Sequence, residues 1–187
     1  MKVPRLFVIS GPSGAGKGTL VAQVRKIRPD LALAVSATTR KARPQEIEGK
    51  HYYFLSLDEF NKILSEDGFV ESALVHGNYY GTLVSEVEAK LEAGNSLILE
   101  IDPQGAFQVK KKVKDAVLVF IMPPSAEELE ARLRARGTET EEELATRLQN
   151  MYQENEAAKL YDAVLINDEL SRATTELLEI LARFEEE

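Results

Sequence analysis

Four short apolar runs punctuate the chain: Leu6-Phe7-Val8-Ile9, Leu97-Ile98-Leu99, Val117-Leu118-Val119-Phe120-Ile121 and Val164-Leu165-Ile166. They are rich in branched and aromatic side chains and lack polar alternation, which predicts strands buried on both faces. Leu31, Leu33 and Val35 alternate with Ala32 and Ala34, a fainter strand signal. Helical patterns fill the gaps. Ser85-x-x-Glu88 predicts a capping box, with Val87 and Leu91 on one face and Gly94 at the helix end. Pro103 suits the first turn of a helix after the 97–101 strand. Ser125 is placed to cap a helix ending near Gly137, and Thr140-x-x-Glu143 to open the next. The last helix carries Leu170, Leu177, Leu178, Leu181 and Phe184 on one side. Strand–helix alternation of this kind predicts an α/β fold with a parallel sheet flanked by helices.

One stretch breaks that rhythm. Residues 37–82 are polar and aromatic and hold four of the six tyrosines: Tyr52, Tyr53, Tyr79 and Tyr80. Tyr52 to Leu55 and Phe69 to Val75 read as strands, with a short helix from Asp58 to Leu64. The pattern predicts an inserted α+β lobe at 37–82 and a smaller Arg- and Glu-rich insertion at 127–147. The core is then 1–36, 83–126 and 148–187, all in one domain, as the 187-residue length suggests.

Composition narrows the function. With 23 Lys+Arg against 31 Asp+Glu, the net charge of −8 argues against a general nucleic-acid or membrane-surface binder. A small anionic ligand held by a local basic cluster stays compatible. The chain has no cysteine, which excludes disulfides, thiolate metal sites and cysteine nucleophiles and accords with a reducing cytoplasm. His51 and His76 are the only histidines, too few for a multi-histidine metal site. No apolar run approaches a membrane span. The stretch from Met1 to Ile9 is too short for a signal peptide.

The strongest chemical signal follows the first run. Gly11-Pro12-Ser13-Gly14-Ala15-Gly16-Lys17 is a G-x-x-x-x-G-K frame between a predicted strand and a predicted helix. Its glycines let backbone N–H groups turn inward around a phosphate, and the helix N-terminus adds positive potential. Lys17 reaches the outer phosphates. Gly18 stands where Ser or Thr usually offers Mg²⁺ a hydroxyl, and Thr19 follows. The guanine-reading Asn-Lys-x-Asp of switch GTPases is absent, so the D-x-x-G match at Asp102 to Gly105 is fortuitous.

Three more features converge. Thr38-Thr39-Arg40-Lys41-Ala42-Arg43-Pro44 sets two arginines three apart before an extended-backbone signal. Gly77 to Thr82 reads as a tight glycine-flanked turn bearing tyrosine and threonine hydroxyls. Glu71 is a carboxylate on an otherwise apolar strand, either a base reader or a solvated edge charge. Two arginines and two tyrosines suit a phosphate monoester. Glu100 and Asp102 alternate onto one side at the end of a strand, where α/β sites lie.

Together these segments, with Gly49 to Phe54, Arg132 to Gly137 and Asn167-Asp168, resemble the guanylate kinase family over essentially the whole chain. The resemblance implies a P-loop-type core, a GMP lobe and a helical lid, and the reaction ATP + GMP ⇌ ADP + GDP with Mg²⁺. It implies that Gly11, Pro12, Ser13, Gly14, Ala15, Gly16, Lys17, Gly18, Thr19 and Asn167 serve ATP. It places Arg40, Arg43, Tyr52 and Tyr80 on the GMP phosphate, and Ser36, Glu71, Thr82 and Asp102 at guanine. Arg132, Arg136 and Arg147 match lid arginines that join Lys17 in catalysis, and Glu100 holds the metal through water. The chain departs from the family where Glu100 replaces a common Asp, Ser72 a common Trp and Gln45 a frequent Gly. Arg132 and Arg136 are four apart on one helical face, whereas Arg134 points elsewhere. Two other readings compete: a non-catalytic module of the same shape that binds phosphopeptides, and a kinase of a phosphorylated sugar. A monomer and a homodimer both accord with the sequence.

Overall fold

The computed structural model describes residues 2–137 and 140–186, apart from the side chains of Arg136 and of residues 151–155. In chain order the elements are β1 (Leu6–Ser10), α1 (Lys17–Ile27), β2 (Ala32–Leu33), β3 (Ala37–Thr38), β4 (Tyr53–Phe54), α2 (Leu57–Ser65), β5 (Phe69–Val75), β6 (Asn78–Leu83), α3 (Val84–Glu92), β7 (Leu97–Glu100), α4 (Pro103–Lys112), β8 (Val117–Met122), α5 (Ala126–Arg136), α6 (Glu141–Ala157), a 3₁₀ turn (Ala158–Leu160), β9 (Ala163–Ile166) and α7 (Leu170–Glu186).

The four apolar runs form strands of a parallel sheet ordered β2-β7-β1-β8-β9, the first three at its centre and the last, β9, at one edge. Alternate side chains of β1 enter different cores, as strand geometry requires. Phe7 and Ile9 pack with Leu20, Val24, Leu177 and Leu181 of α1 and α7. Leu6 and Val8 pack with Val87, Ala106 and Val109 of α3 and α4 on the other face. Burial on both faces explains why β1, β7 and β8 carry no polar alternation. Strand β9 departs from the expectation, because as an edge strand it buries Leu165 and leaves Val164 and Ile166 exposed.

The interrupting stretch folds as its own mixed sheet, ordered β4-β3-β6-β5. Its core is Ala37, Phe60 and Phe69, with the two phenylalanine rings stacked at 4.3 Å. Val70 belongs instead to the core beneath α3 and α4. Helices α5 and α6 make a fourth, small core from Leu129, Leu133 and Leu144.

Several boundaries differ from the sequence reading. Gly77 to Thr82 is mostly strand β6; the turn is His76-Gly77, both at positive φ (48° and 79°). Gly81 sits inside the strand because a Cβ there would lie 2.8 Å from the Phe69 ring, so close packing rather than turning requires it. Helix α3 starts at Val84 directly from β6, with Leu83 as an N-cap that makes no side-chain hydrogen bond, so Ser85 is inside the first turn and forms no capping box. Leu170 opens α7 on the same face as Leu177 and Leu181, seven and eleven residues on, but at the helix start it is 37% exposed. The signals at Pro103, Ser125, Gly137 and Thr140 act as the sequence predicts. A buried polar knot ties the chain ends together. Glu185 accepts from Arg28 at 3.1 Å and from the Ser96 hydroxyl at 2.7 Å, while the Val3 N–H donates to its carbonyl at 2.8 Å.

Candidate active site

The β1–α1 loop is shaped by what its neighbours exclude. Gly11 has φ of +141°, and a Cβ there would lie 2.2 Å from the Ile121 carbonyl oxygen of β8. Gly16, the N-cap of α1, has φ of +86°, and its Cβ would meet Asn167 Nδ2 at 2.5 Å. Neither neighbour is free to yield, so only glycine serves. Helix α1 has no side-chain cap and no acid in its first turn. Its positive end is therefore left for an anion. Lys17 Nζ donates to the Gly11 and Pro12 carbonyls at 2.7 and 3.0 Å, within the loop itself.

Gly14, Gly16 and Thr19 share a cleft of about 380 Å³ with Arg132, Asn167 and Asp168. Buried Asn167 donates to the Ala15 carbonyl at 2.8 Å and accepts at its own carbonyl from Arg132 at 3.0 Å. Arg132 also bonds Glu128 one turn back at 2.9 Å, which fixes its direction. Leu129 and Leu133 of α5 lie against Gly14, so α5 rests on the loop.

A second hollow of about 200 Å³ is lined by Ser36, Tyr52, Glu71, Tyr80, Glu100 and Asp102. Glu71 is 7% exposed, which decides against the solvated-edge reading. Its Oε1 accepts from the buried Thr82 hydroxyl at 2.7 Å. Burial pushes the Glu71 carboxyl up, the Thr82 bond opposes this, and nearby Asp102 raises it further. Asp102 lies beyond β7 as the N-cap of α4, accepting from the Gly105 N–H at 2.8 Å. Tyr52 and Tyr80 meet edge to face at 6.1 Å, and the Arg40 guanidinium lies 5.2 Å from the Tyr52 ring centre.

Glu100 lines the second hollow and also stands beside the phosphate loop. A Cβ on Gly18 would sit 3.5 Å from Glu100 Oε1. Glu100 opens to the cleft on one side, yet the protein packed around it pushes its carboxyl up, with Lys17 pulling it down. Among the described residues no group of three or more His, Asp or Glu is arranged to cage a metal ion. A single carboxylate beside a phosphate loop suits Mg²⁺ that arrives on nucleotide phosphates and keeps its waters.

Not every sequence-predicted residue converges. Arg43 lies in a neighbouring hollow with Pro44, Gln45, Glu46 and His51 and does not line the Glu71 pocket. Arg147, on α6, lies one turn from Glu143 and lines neither cleft. The Arg136 side chain is outside the described residues, so its relation to Arg132 has no structural account. Arg134 bonds Glu130 and Glu141 on the outer surface, joining α5 to α6. Three supporting residues escaped the sequence reading. Glu46 holds Arg40, buried Glu86 accepts from Tyr53 Oη and the Val35 N–H, and Gln108 bonds the backbone of Ser72. For Glu46 the available signal was an acid just after an Arg-x-x-Arg pair; for Glu86, an acid beside Val87 on a buried helix.

The guanylate kinase family model matches residues 3–184. The guanylate kinase of Clostridium acetobutylicum is 49% identical over 94% of this chain and 84% of its own length. That of Fusobacterium nucleatum is 48% identical over 97% of both chains. The crystal structure of guanylate kinase from Anaplasma phagocytophilum superposes with a TM-score of 0.76 at 32% identity, covering 100% of this chain and 89% of that one. With its sheet order, its phosphate loop and nearly its whole length accounted for, the chain belongs to the guanylate kinase family.

Proposed function

We propose that this chain transfers the γ-phosphoryl group of ATP to the phosphate of GMP, giving ADP and GDP, and that the residues above carry out that transfer. The observation that carries the reading is Glu100, which lines the second hollow and stands beside Gly18 of the phosphate loop. The first cleft holds an anion-binding loop, and the second holds buried Glu71 with Tyr52 and Tyr80, Arg40 lying against the Tyr52 ring outside its lining.

The loop from Gly11 to Thr19 and Lys17 bind the donor's phosphates, and Asn167 lies toward its base. Arg40, Tyr52 and Tyr80 hold the acceptor phosphate, with Arg43 joining from its neighbouring hollow. Ser36, Glu71, Thr82 and Asp102 face guanine, whose N1–H and N2 amino group are adjacent donors that a carboxylate accepts. An acceptor phosphate oxygen attacks the γ-phosphorus in line as the bond to the β–γ bridging oxygen breaks, and ADP leaves with that electron pair. No covalent enzyme intermediate is needed. Arg132, Arg136 and Arg147 supply cations to the transferring group, and Arg147 needs lid movement to do so. Glu100 would hold Mg²⁺ through a coordinated water, and the ion would neutralise phosphate charge there. The 37–82 lobe and the 127–147 lid close over the core to exclude water. We place the activity in the cytoplasm, with its nucleotide substrates.

The intact loop with Lys17 speaks for catalysis over a phosphopeptide-binding role. A coupled ADP-release assay across GMP, AMP, UMP and ribose phosphates tests the proposal. Turnover confined to GMP and close analogues is expected; preference for a sugar phosphate, or no turnover with any acceptor, would overturn it.

A further inference from the structure

Strand β5 lies at one edge of its sheet, with β6 on its inner side. Its outer N–H and C=O groups need other partners. Helix α4 supplies them. Gln108 Oε1 accepts from the Ser72 N–H at 3.1 Å, and Gln108 Nε2 donates to the Ser72 carbonyl at 3.2 Å. A primary amide offers one acceptor and a donor side by side, so Gln108 completes the edge as the peptide of a neighbouring strand would. One turn along, on the same face, Lys112 Nζ donates to the Phe69 carbonyl at 2.6 Å and pairs with Asp67. These two grips bracket Glu71. Val70, also between them, is buried in the core under α3 and α4. Among the described residues the far half of β5 carries no such grip, and Leu74 and Val75 are exposed.

The helix that makes these grips begins at Asp102, its N-cap. Its first turn passes directly under the Glu71 carboxylate: a Cβ on Gly105 would lie 3.4 Å from Glu71 Oε2. The two acids on the base side of the pocket thus come from different sheets, and α4 links them.

We propose that Gln108 is a positioning residue for guanine recognition, clamping the Ser72 backbone to α4 so that Glu71 keeps a fixed spacing from Asp102. This rests on the proposed reading of Glu71 as the guanine acceptor. In consequence, when the lobe moves, the near half of β5 stays with the core. The base-reading acids are set before substrate arrives, and closure brings in the phosphate-holding arm with Arg40 and Tyr52.

The test compares wild type, Gln108→Ala, Gln108→Glu and Glu71→Gln by steady-state kinetics with GMP and with AMP, each variant checked by thermal melting. Gln108→Glu keeps the side-chain length and an acceptor for the Ser72 N–H but loses the donor to its carbonyl. For both Gln108 variants we expect KM for GMP to rise about tenfold with kcat little changed, since a small misplacement of a binding group weakens its contact. AMP kinetics should stay level, so GMP-over-AMP preference falls by the same factor. A lowered melting temperature with that preference unchanged would show a merely structural grip and overturn the proposal. If Glu71→Gln lowers kcat/KM for GMP while both Gln108 variants keep it, the clamp alone is refuted. If Glu71→Gln leaves GMP kinetics unchanged, the Glu71 reading falls and the clamp proposal with it.

Discussion

Glu46 grips Arg40 with both carboxylate oxygens, at 2.8 Å from Nη2 and 2.9 Å from Nη1. The Arg43 N–H donates to the same carboxylate at 2.7 Å. Arg40 first, and then this N–H, hold the Glu46 carboxyl down at about 2, and Glu46 in turn raises Arg40. Arg40 also donates to the Lys41 carbonyl at 2.8 Å. The guanidinium plane is thereby set beside Tyr52 before any substrate binds.

A lysine keeps the charge but not the fork. Arg40→Lys should therefore raise KM for GMP by about 10- to 100-fold, the loss of a bidentate charge-assisted contact. Glu46→Gln keeps one acceptor and should raise KM by only a few-fold. GMP titrations at saturating ATP give both values, and a Glu46→Gln enzyme with tighter GMP binding would show that Glu46 competes for Arg40 instead of orienting it.

Lys17 lies at the start of α1 with its ammonium over the loop. Lys17→Ala should lower kcat by about 10²- to 10³-fold, the usual effect of losing one preorganised charge at a transition state. GMP affinity measured by calorimetry should hardly change. Near-normal turnover would remove Lys17 from the chemistry.

Glu71 carries opposed demands. Its carboxyl titrates above the ordinary carboxylate range, so the folded chain holds that proton where the unfolded chain has released it. Stability of the nucleotide-free protein thus falls as pH rises from the ordinary carboxylate value through the raised one. Glu71→Gln removes this and should raise the melting temperature at neutral pH. It should also cut kcat/KM for GMP by about 10²-fold, because its amide turns donors toward guanine's donors, while AMP activity holds or rises. In the wild type, KM for GMP should climb as pH falls through the same window. Unchanged GMP kinetics would move the reading role to Asp102.

The Glu185 knot behaves oppositely. Burial would push its carboxyl up, but the Arg28 and Ser96 bonds outweigh this and hold it below the ordinary range. Its contribution is present above the unfolded carboxylate value and is lost as pH falls through the depressed one. Glu185→Gln should cost about 2–3 kcal/mol, as expected for hydrogen bonds to a buried charged group. Denaturant melts at pH 7 and pH 3 check this, with the gap between variant and wild type shrinking at the lower pH.

The strands buried on both faces were legible because burial leaves an unbroken apolar run, as in Val117 to Ile121. The two-residue strand β3 was not, since two residues show no period, whereas β4 was read within the aromatic run Tyr52 to Leu55. Gly81 misled the turn reading because glycine marks both turning and close approach, and sequence alone does not separate them. The phosphate loop was readable because its parts are consecutive. Glu86 and Gln108 escaped because their partners lie 33 and 36 residues away, brought near only by the packing of α3 and α4. Arg43 and Arg147 belong to the family pattern, but neither lines the cleft it was expected to serve, so spacing along the chain did not reveal their surroundings.

Asp102 lines the hollow that holds Glu71 and, with the same carboxylate, holds the first turn of α4. Evolution at this position therefore answers to two masters. Most substitutions that reshape the pocket here also unfasten a helix, which filters them out before any new specificity is tried. Asparagine and serine keep the cap well, and threonine and glycine nearly so. Of these, asparagine alone preserves the side chain's length while exchanging an acceptor for a donor. Drift toward another base is thus channelled through one narrow door at Asp102, or through Glu71 and Thr82, where no helix is at stake.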